Sequence, residues 1–76
     1  MELNLHGMNL FQARNALAGA LRRATAADYR LCVIHGFRQG SAIRDMIRDE
    51  FYTHPRVIRV ENNPNPGQTV LVLREF

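Results

Sequence analysis

The chain has 76 residues, a hydrophobic fraction of 46% and only 22% charged residues, which indicates one small globular domain and excludes a disordered chain or a two-domain enzyme. Its ten basic residues are all arginine and outnumber seven acidic ones, for a net charge of +3. A single cysteine cannot form an internal disulfide or a structural zinc site. Because no apolar run is long enough to cross a membrane and no secretory signal opens the chain, we expect a cytoplasmic protein without a membrane partner.

The first half of the chain predicts a strand, a helix and a second strand. Residues 2–6 alternate polar and apolar side chains, as in a half-buried strand. Asn9 and Gln12 form a capping-box pair at the start of a helix over 10–25. Residues 29–34 are apolar except for one arginine, which is typical of a strand buried on both faces and makes its cysteine a core residue.

The second half predicts a helix and a hairpin. Ser41 is placed to cap a helix that a following proline limits to about residue 52. Residues 57–61 and 69–74 are rich in strand formers, and the segment between them consists of turn residues. The prediction is therefore a single α+β domain over 1–76, a two-layer βαβαββ fold in which both helices cover one face of a four-stranded mixed sheet. The other face is expected to be open and to carry Glu2, Asn4 and His6.

A His-Gly pair follows each of the two strands predicted to be parallel, at residues 6–7 and 35–36. Ligands collect beyond the carboxyl ends of such strands, so we expect both pairs on one rim. Histidine donates to phosphate oxygens or transfers protons, glycine lets a backbone approach closely, and an exposed phenylalanine stacks on a base. The predicted nucleic-acid-binding residues are His6, Gly7, His35, Gly36, Phe37, Arg38, Gly40, Ser41 and Arg44.

The same features have ordinary structural explanations. A His-Gly pair at a strand end is commonly turn chemistry. The arginines at 44 and 48, each followed by an aspartate, are typical of a solvated helix face. Two histidines without a paired carboxylate make a weak metal site, so the sequence assigns no metal ligand.

Four segments resemble one family and together span nearly the whole chain. Residues 3–7 resemble a Leu-Asp-x-His-Gly strand end, and residues 35–44 partly match a His-Gly-x-Gly motif followed by a Leu-Arg helix start. The His-Pro pair in 54–57 and the glycine turn in 67–70 complete the resemblance, which is to the small MutS-related (Smr) domain. It implies the βαβαββ fold also found in the C-terminal domain of bacterial translation initiation factor three. It further implies nucleic-acid binding, with DNA-nicking or RNA-cleaving activity in some members.

Two positions depart from the family pattern. The acid of the first motif is Asn4 here, and the second glycine of the His-Gly-x-Gly motif is Arg38. Asparagine cannot act as a base, whereas arginine strengthens the attraction for phosphate. Binding is therefore expected to tolerate these changes better than catalysis does.

Three hypotheses follow. The leading one is a domain that binds the phosphate backbone of DNA or RNA. The first alternative is an endonuclease that depends on Mg²⁺ or Mn²⁺, with His6 and His35 transferring protons and Asn4 positioning them; no cofactor is expected otherwise. The second is a protein-interaction module that uses the open sheet face or an edge strand, without nucleic acid. Small size together with the open face is also compatible with a homodimer. A steep salt dependence would distinguish backbone binding from protein interaction.

Overall fold

The order of elements in the computed structural model, which describes residues 1–37 and 40–75, is the one predicted from the sequence. The elements are β1 (Glu2–Asn4), α1 (Leu10–Arg23), β2 (Arg30–Ile34), α2 (Ala42–Met46) with a π-helical continuation (Ile47–Phe51), β3 (Arg59–Asn62) and β4 (Gln68–Val72). None of the helices in these ranges is long and apolar enough to cross a membrane.

The four strands form one mixed sheet in the order β1-β2-β4-β3. β1 and β2 are parallel, as a crossover through a helix requires, whereas β4 is antiparallel to both β2 and β3. β1 is thus an edge strand with one neighbour, and β2 is central. The predicted α+β fold with a mixed four-stranded sheet is confirmed.

The hydrophobic core lies between the two helical segments and one face of the sheet. Apolar residues at helical spacing in α1 pack against alternate residues of β2 and β4. The core side chains are Leu5, Ala13, Leu17, Ala20, Leu21, Leu31, Val33, Met46, Ile47, Phe51, Val57 and Leu71. This one-sided packing leaves the opposite sheet face without a covering helix.

The prediction that β2 is buried on both faces is wrong. Leu31 and Val33 are buried, but Cys32 and Ile34 are only half-buried, because they point to the open face. Cys32 is therefore not a core residue, and its Sγ donates to Gln68 Oε1 at 3.3 Å. The expectation that Glu2 and Asn4 lie on the open face agrees with their pairing opposite Cys32 and Ile34 in the register of β1 and β2.

Several elements end earlier than predicted, and local hydrogen bonds give the reason. β1 stops at Asn4 because the Asn4 side chain accepts from the His6 amide two residues later and turns the chain. α1 stops at Arg23, and Arg56 Nη1 donates to the carbonyls of Leu21 and Ala24 at 3.0 and 2.6 Å. A side chain distant in sequence thus satisfies carbonyls that a helix end leaves without partners.

Candidate nucleic-acid interface

The structure brings the two His-Gly pairs together at one end of the sheet. β1 and β2 are parallel neighbours, so their carboxyl ends lie side by side. A Cβ atom placed on Gly36 would lie 2.8 Å from His6 Cδ2 and 3.4 Å from His6 Nε2. The imidazole of His6 therefore packs directly on the Gly36 backbone, which has a φ of +77°. Only glycine satisfies both the left-handed conformation and this close approach.

His6 is exposed, and Asn4 fixes the backbone that carries it. The His6 amide donates to Asn4 Oδ1 at 2.9 Å, which is an Asx turn. Asn4 thus shapes the turn through the main chain of His6, whereas its predicted role is to position the imidazole. A carboxylate at position 4 offers the same acceptor.

His35 has the opposite environment, because its side chain is buried with 8% exposure. Nδ1 lies 2.7 Å from the Gly36 carbonyl oxygen, and Nε2 lies 2.8 Å from Thr69 Oγ1. A carbonyl only accepts, so Nδ1 carries a proton and donates to it. In the neutral ring Nε2 then accepts from the Thr69 hydroxyl. Both ring nitrogens are engaged inside the protein, and His35 supports the rim from beneath.

The turn before β4 supports the same rim. The carbonyl of Gly67 accepts from the amides of His35 and Gly36, each at 2.9 Å. A Cβ atom on Gly67 would lie 3.3 Å from both Gly36 Cα and Phe37 Cδ1. Neither Gly67 nor Thr69 is among the residues predicted for the site, although the glycine turn itself is predicted. Local sequence indicates the hairpin, whereas the register that sets Thr69 opposite Val33 depends on strand pairing.

A small pocket of about 170 Å³ opens beside the two His-Gly pairs. It is lined by His6 and His35 and by the apolar side chains of Met8, Leu10 and Ile43. Phe37, which is 58% exposed, also lines it. The pocket thus joins an exposed imidazole to an apolar and aromatic surface.

In the loop before α2, the Ser41 side chain makes a different hydrogen bond from the one predicted. Ser41 occupies the N-cap position but makes no side-chain bond to the first-turn amides, so the predicted capping role is wrong. Its Oγ instead donates to Asp45 Oδ2 at 2.8 Å. Gly40 has a φ of +96°. The predicted contact Arg38 lies outside the described residues.

Arg44 lies at the start of α2 and is half-buried. Its Nε is 3.6 Å from Asp45 Oδ1, beyond hydrogen-bond distance, and no described residue accepts from it. Asp45, which the sequence analysis places on a solvated helix face, therefore contacts Ser41 and faces Arg44. This acid would compete with a phosphate for Ser41 and Arg44, two of the predicted contacts.

The two helix starts near the rim are satisfied differently. At α1, Asn9 Oδ1 accepts from the Gln12 amide at 2.8 Å, and Gln12 Oε1 accepts from the Asn9 amide at 3.1 Å. This capping box confirms the prediction and satisfies the first turn of α1 internally. The first turn of α2 has no such side-chain cap at Ser41.

The acidic and histidine side chains do not form a metal site in the part of the chain that the structure describes. No group of three or more His, Cys, Asp or Glu side chains comes together in residues 1–37 and 40–75. At the rim, Asn4 stands where a carboxylate would contribute a hard oxygen ligand. The described residues therefore do not fit a resident Mg²⁺ or Mn²⁺ ion.

Comparison with known proteins agrees with this architecture. A search of curated proteins finds no match. Among solved structures, the Smr domain of MutS2 from Thermus thermophilus is 29% identical, with a TM-score of 0.86 over 97% of this chain and 98% of that one. The family model of the Smr domain matches residues 3–73. The chain therefore belongs to the Smr domain family.

Proposed function

We propose that this domain binds the phosphate backbone of nucleic acid along the rim formed by the two His-Gly pairs. The observation that carries the proposal is the packing of the exposed His6 ring on the Gly36 backbone. A ring held in this way presents a polar edge to solvent without the entropy cost of ordering a mobile side chain. Membership of the Smr family and the nucleic-acid binding implied by the resemblance support the same ligand class.

The electrostatics of the rim favour an anion. Asn4 is neutral where the family pattern has an acid, so no carboxylate at that position repels a phosphate near His6. The Arg44 side chain is 42% exposed, and its guanidinium would donate to a phosphate oxygen. Asp45 carries the negative charge that would oppose a phosphate near Arg44, and one of its carboxylate oxygens accepts a hydrogen bond from Ser41.

Fluorescence anisotropy with matched DNA and RNA duplexes tests this proposal. Backbone binding predicts that affinity falls steeply as salt rises from about 50 to 200 mM, on all sequences alike. We expect His6→Ala and Arg44→Ala to weaken binding. Arg22→Ala is the matched control, because Arg22 is exposed in the last turn of α1 and lies outside the rim. Affinity that is independent of salt, or equal losses in Arg44→Ala and Arg22→Ala, would contradict the proposal.

The Asx turn at Asn4 supports a test of the endonuclease alternative. Because an aspartate accepts the same bond from the His6 amide, Asn4→Asp is expected to fold normally and to restore the family acid. Supercoiled plasmid and structured RNA are incubated with the parent and the variant in the presence of Mg²⁺ or Mn²⁺. We expect cleavage to appear or increase only in Asn4→Asp. Nicking by the parent that is lost in His6→Ala would instead establish the enzyme.

A further inference from the structure

We propose that the pocket beside the rim receives one unstacked nucleobase, so that the domain prefers an unpaired nucleotide over a continuous duplex. This inference rests on the proposed function, because the base would enter next to a phosphate held at His6. The pocket volume of about 170 Å³ is well below the roughly 300–1,000 Å³ of pockets that hold a drug-sized ligand. It suits a single flat ring system better than a whole nucleotide.

The walls of the pocket have the chemistry that a base requires. Phe37 and Leu10 both line the pocket, and they expose 58% and 40% of their surfaces. Extruded bases stack on exposed aromatic and apolar side chains of this kind. Imidazole and main-chain groups near His6 provide polar partners for the edge of the base.

Phe37 is held in position by the turn before β4. Its Cδ1 atom lies 3.3 Å from the point where a Cβ of Gly67 would stand, so the ring rests over a glycine. Gly67 also accepts from the amides of His35 and Gly36, which immediately precede Phe37. The aromatic surface and the rim are therefore positioned by the same turn, and a ligand that contacts both needs no rearrangement of that turn.

A stacked duplex cannot use this pocket. Bases inside a duplex expose only their edges, whereas a bulged or single-stranded base exposes a face that stacks on an aromatic ring. Phosphate contacts at the rim are shared by both kinds of nucleic acid. The pocket therefore adds affinity only where a base is free to leave the stack.

The test uses three labelled hairpins, each made in DNA and in RNA. One has a flush stem, one has a single bulged adenosine in the stem, and one has an abasic residue at the bulge. Loss of one base stack corresponds to about 5- to 150-fold in affinity. We expect the bulged hairpin to bind more tightly than the other two by a factor in this range. Comparison of the DNA set with the RNA set shows which nucleic acid has the stronger preference for the bulge.

Phe37→Ala is expected to remove the preference for the bulged hairpin while leaving salt-dependent binding to the flush stem. Phe37→Tyr should retain the preference. Phe11→Ala is the control, because Phe11 is 70% exposed on α1 but does not line the pocket. A preference below about fivefold, or one that survives Phe37→Ala, would overturn the base site and leave backbone binding intact. No salt-dependent binding to any hairpin would overturn the proposed function as well.

Discussion

The two His-Gly pairs follow adjacent parallel strands, yet their imidazoles have different environments. His6 follows the edge strand and is exposed, with its ring packed on Gly36. His35 follows the central strand, where the Thr69 hydroxyl of β4 is a partner for its ring and the Gly67 carbonyl, in the turn before β4, is a partner for its amide. The same dipeptide thus yields an exposed ring at the edge of the sheet and a buried ring in its middle. The position of the strand in the sheet, rather than the dipeptide, determines the environment of the ring.

The largest expected difference is in stability. His35→Ala removes a buried, doubly hydrogen-bonded ring and leaves Thr69 without its partner, which is expected to lower the free energy of unfolding by about 1–3 kcal/mol. His6→Ala alters an exposed side chain and should change that free energy by no more than about 0.5 kcal/mol. Urea unfolding of both variants measures the difference. Equal losses would show that the two rings are not distinguished by burial.

The next comparison replaces the two glycines. Gly7 and Gly36 have φ angles of +86° and +77°, so alanine at either position is expected to cost about 1–2 kcal/mol. A Cβ at position 7 meets nothing within 4 Å, whereas one at position 36 lies 2.8 Å from His6 Cδ2. Gly36→Ala should therefore destabilise the protein more than Gly7→Ala and shift the NMR signals of the His6 ring. Identical unfolding curves would contradict the packing of His6 on Gly36.

A smaller effect is expected at Asp45, the acid that would oppose a phosphate bound near Arg44. Asp45→Asn removes a negative charge 3.6 Å from Arg44 while keeping an acceptor for Ser41. We expect nucleic-acid affinity to increase by up to about fivefold, in line with an exposed charge interaction. Asp49→Asn, which neutralises an exposed acid in the same helical segment, is the control. A similar gain in both variants would indicate net charge rather than a contact at the rim.

The smallest expected effect is a loss of protein stability at low pH that arises from ion pairs on the open sheet face, away from the rim. Hydrogen bonds from Arg59 and then Arg30 lower the pKa of Glu61 below its ordinary value of 4.5. A carboxyl whose pKa is lower in the folded state stabilises the fold above its ordinary pKa, and that contribution is lost as pH falls. Glu61→Gln should therefore reduce the loss of stability below about pH 4.5. Unchanged acid unfolding in that variant would contradict a stabilising role for these ion pairs.

The sequence predicts most of the fold because its signals are local. The capping box of Asn9 and Gln12 and the turn residues between β3 and β4 each specify an element from neighbouring residues. Burial of His35 and exposure of Cys32 could not be predicted in this way. His35 depends on Thr69, 34 residues later in the chain. Cys32 lies in an apolar run whose local pattern indicates burial on both faces, although the predicted fold already leaves one face open.

In the candidate site, too, some features are predictable from the sequence and others are not. Adjacent His-Gly pairs follow from parallel strands, so their proximity is predictable from the element order. The hydrogen bond from Ser41 to Asp45 is not predictable in this way. A serine at an N-cap position can either accept from a first-turn amide or donate to a nearby carboxylate, and the local sequence does not decide between the two. Side-chain partners at helix starts therefore require the three-dimensional structure even where the helix itself does not.

The most direct test of this account is an NMR measurement of the two imidazoles, with ¹⁵N-labelled histidine, before and after addition of the bulged hairpin. The account predicts that His35 is protonated on Nδ1 and keeps that tautomer, while the ring signals of His6 shift on binding. A His35 ring that is protonated on Nε2 alone, or whose signals shift with the hairpin while those of His6 stay unchanged, would contradict it.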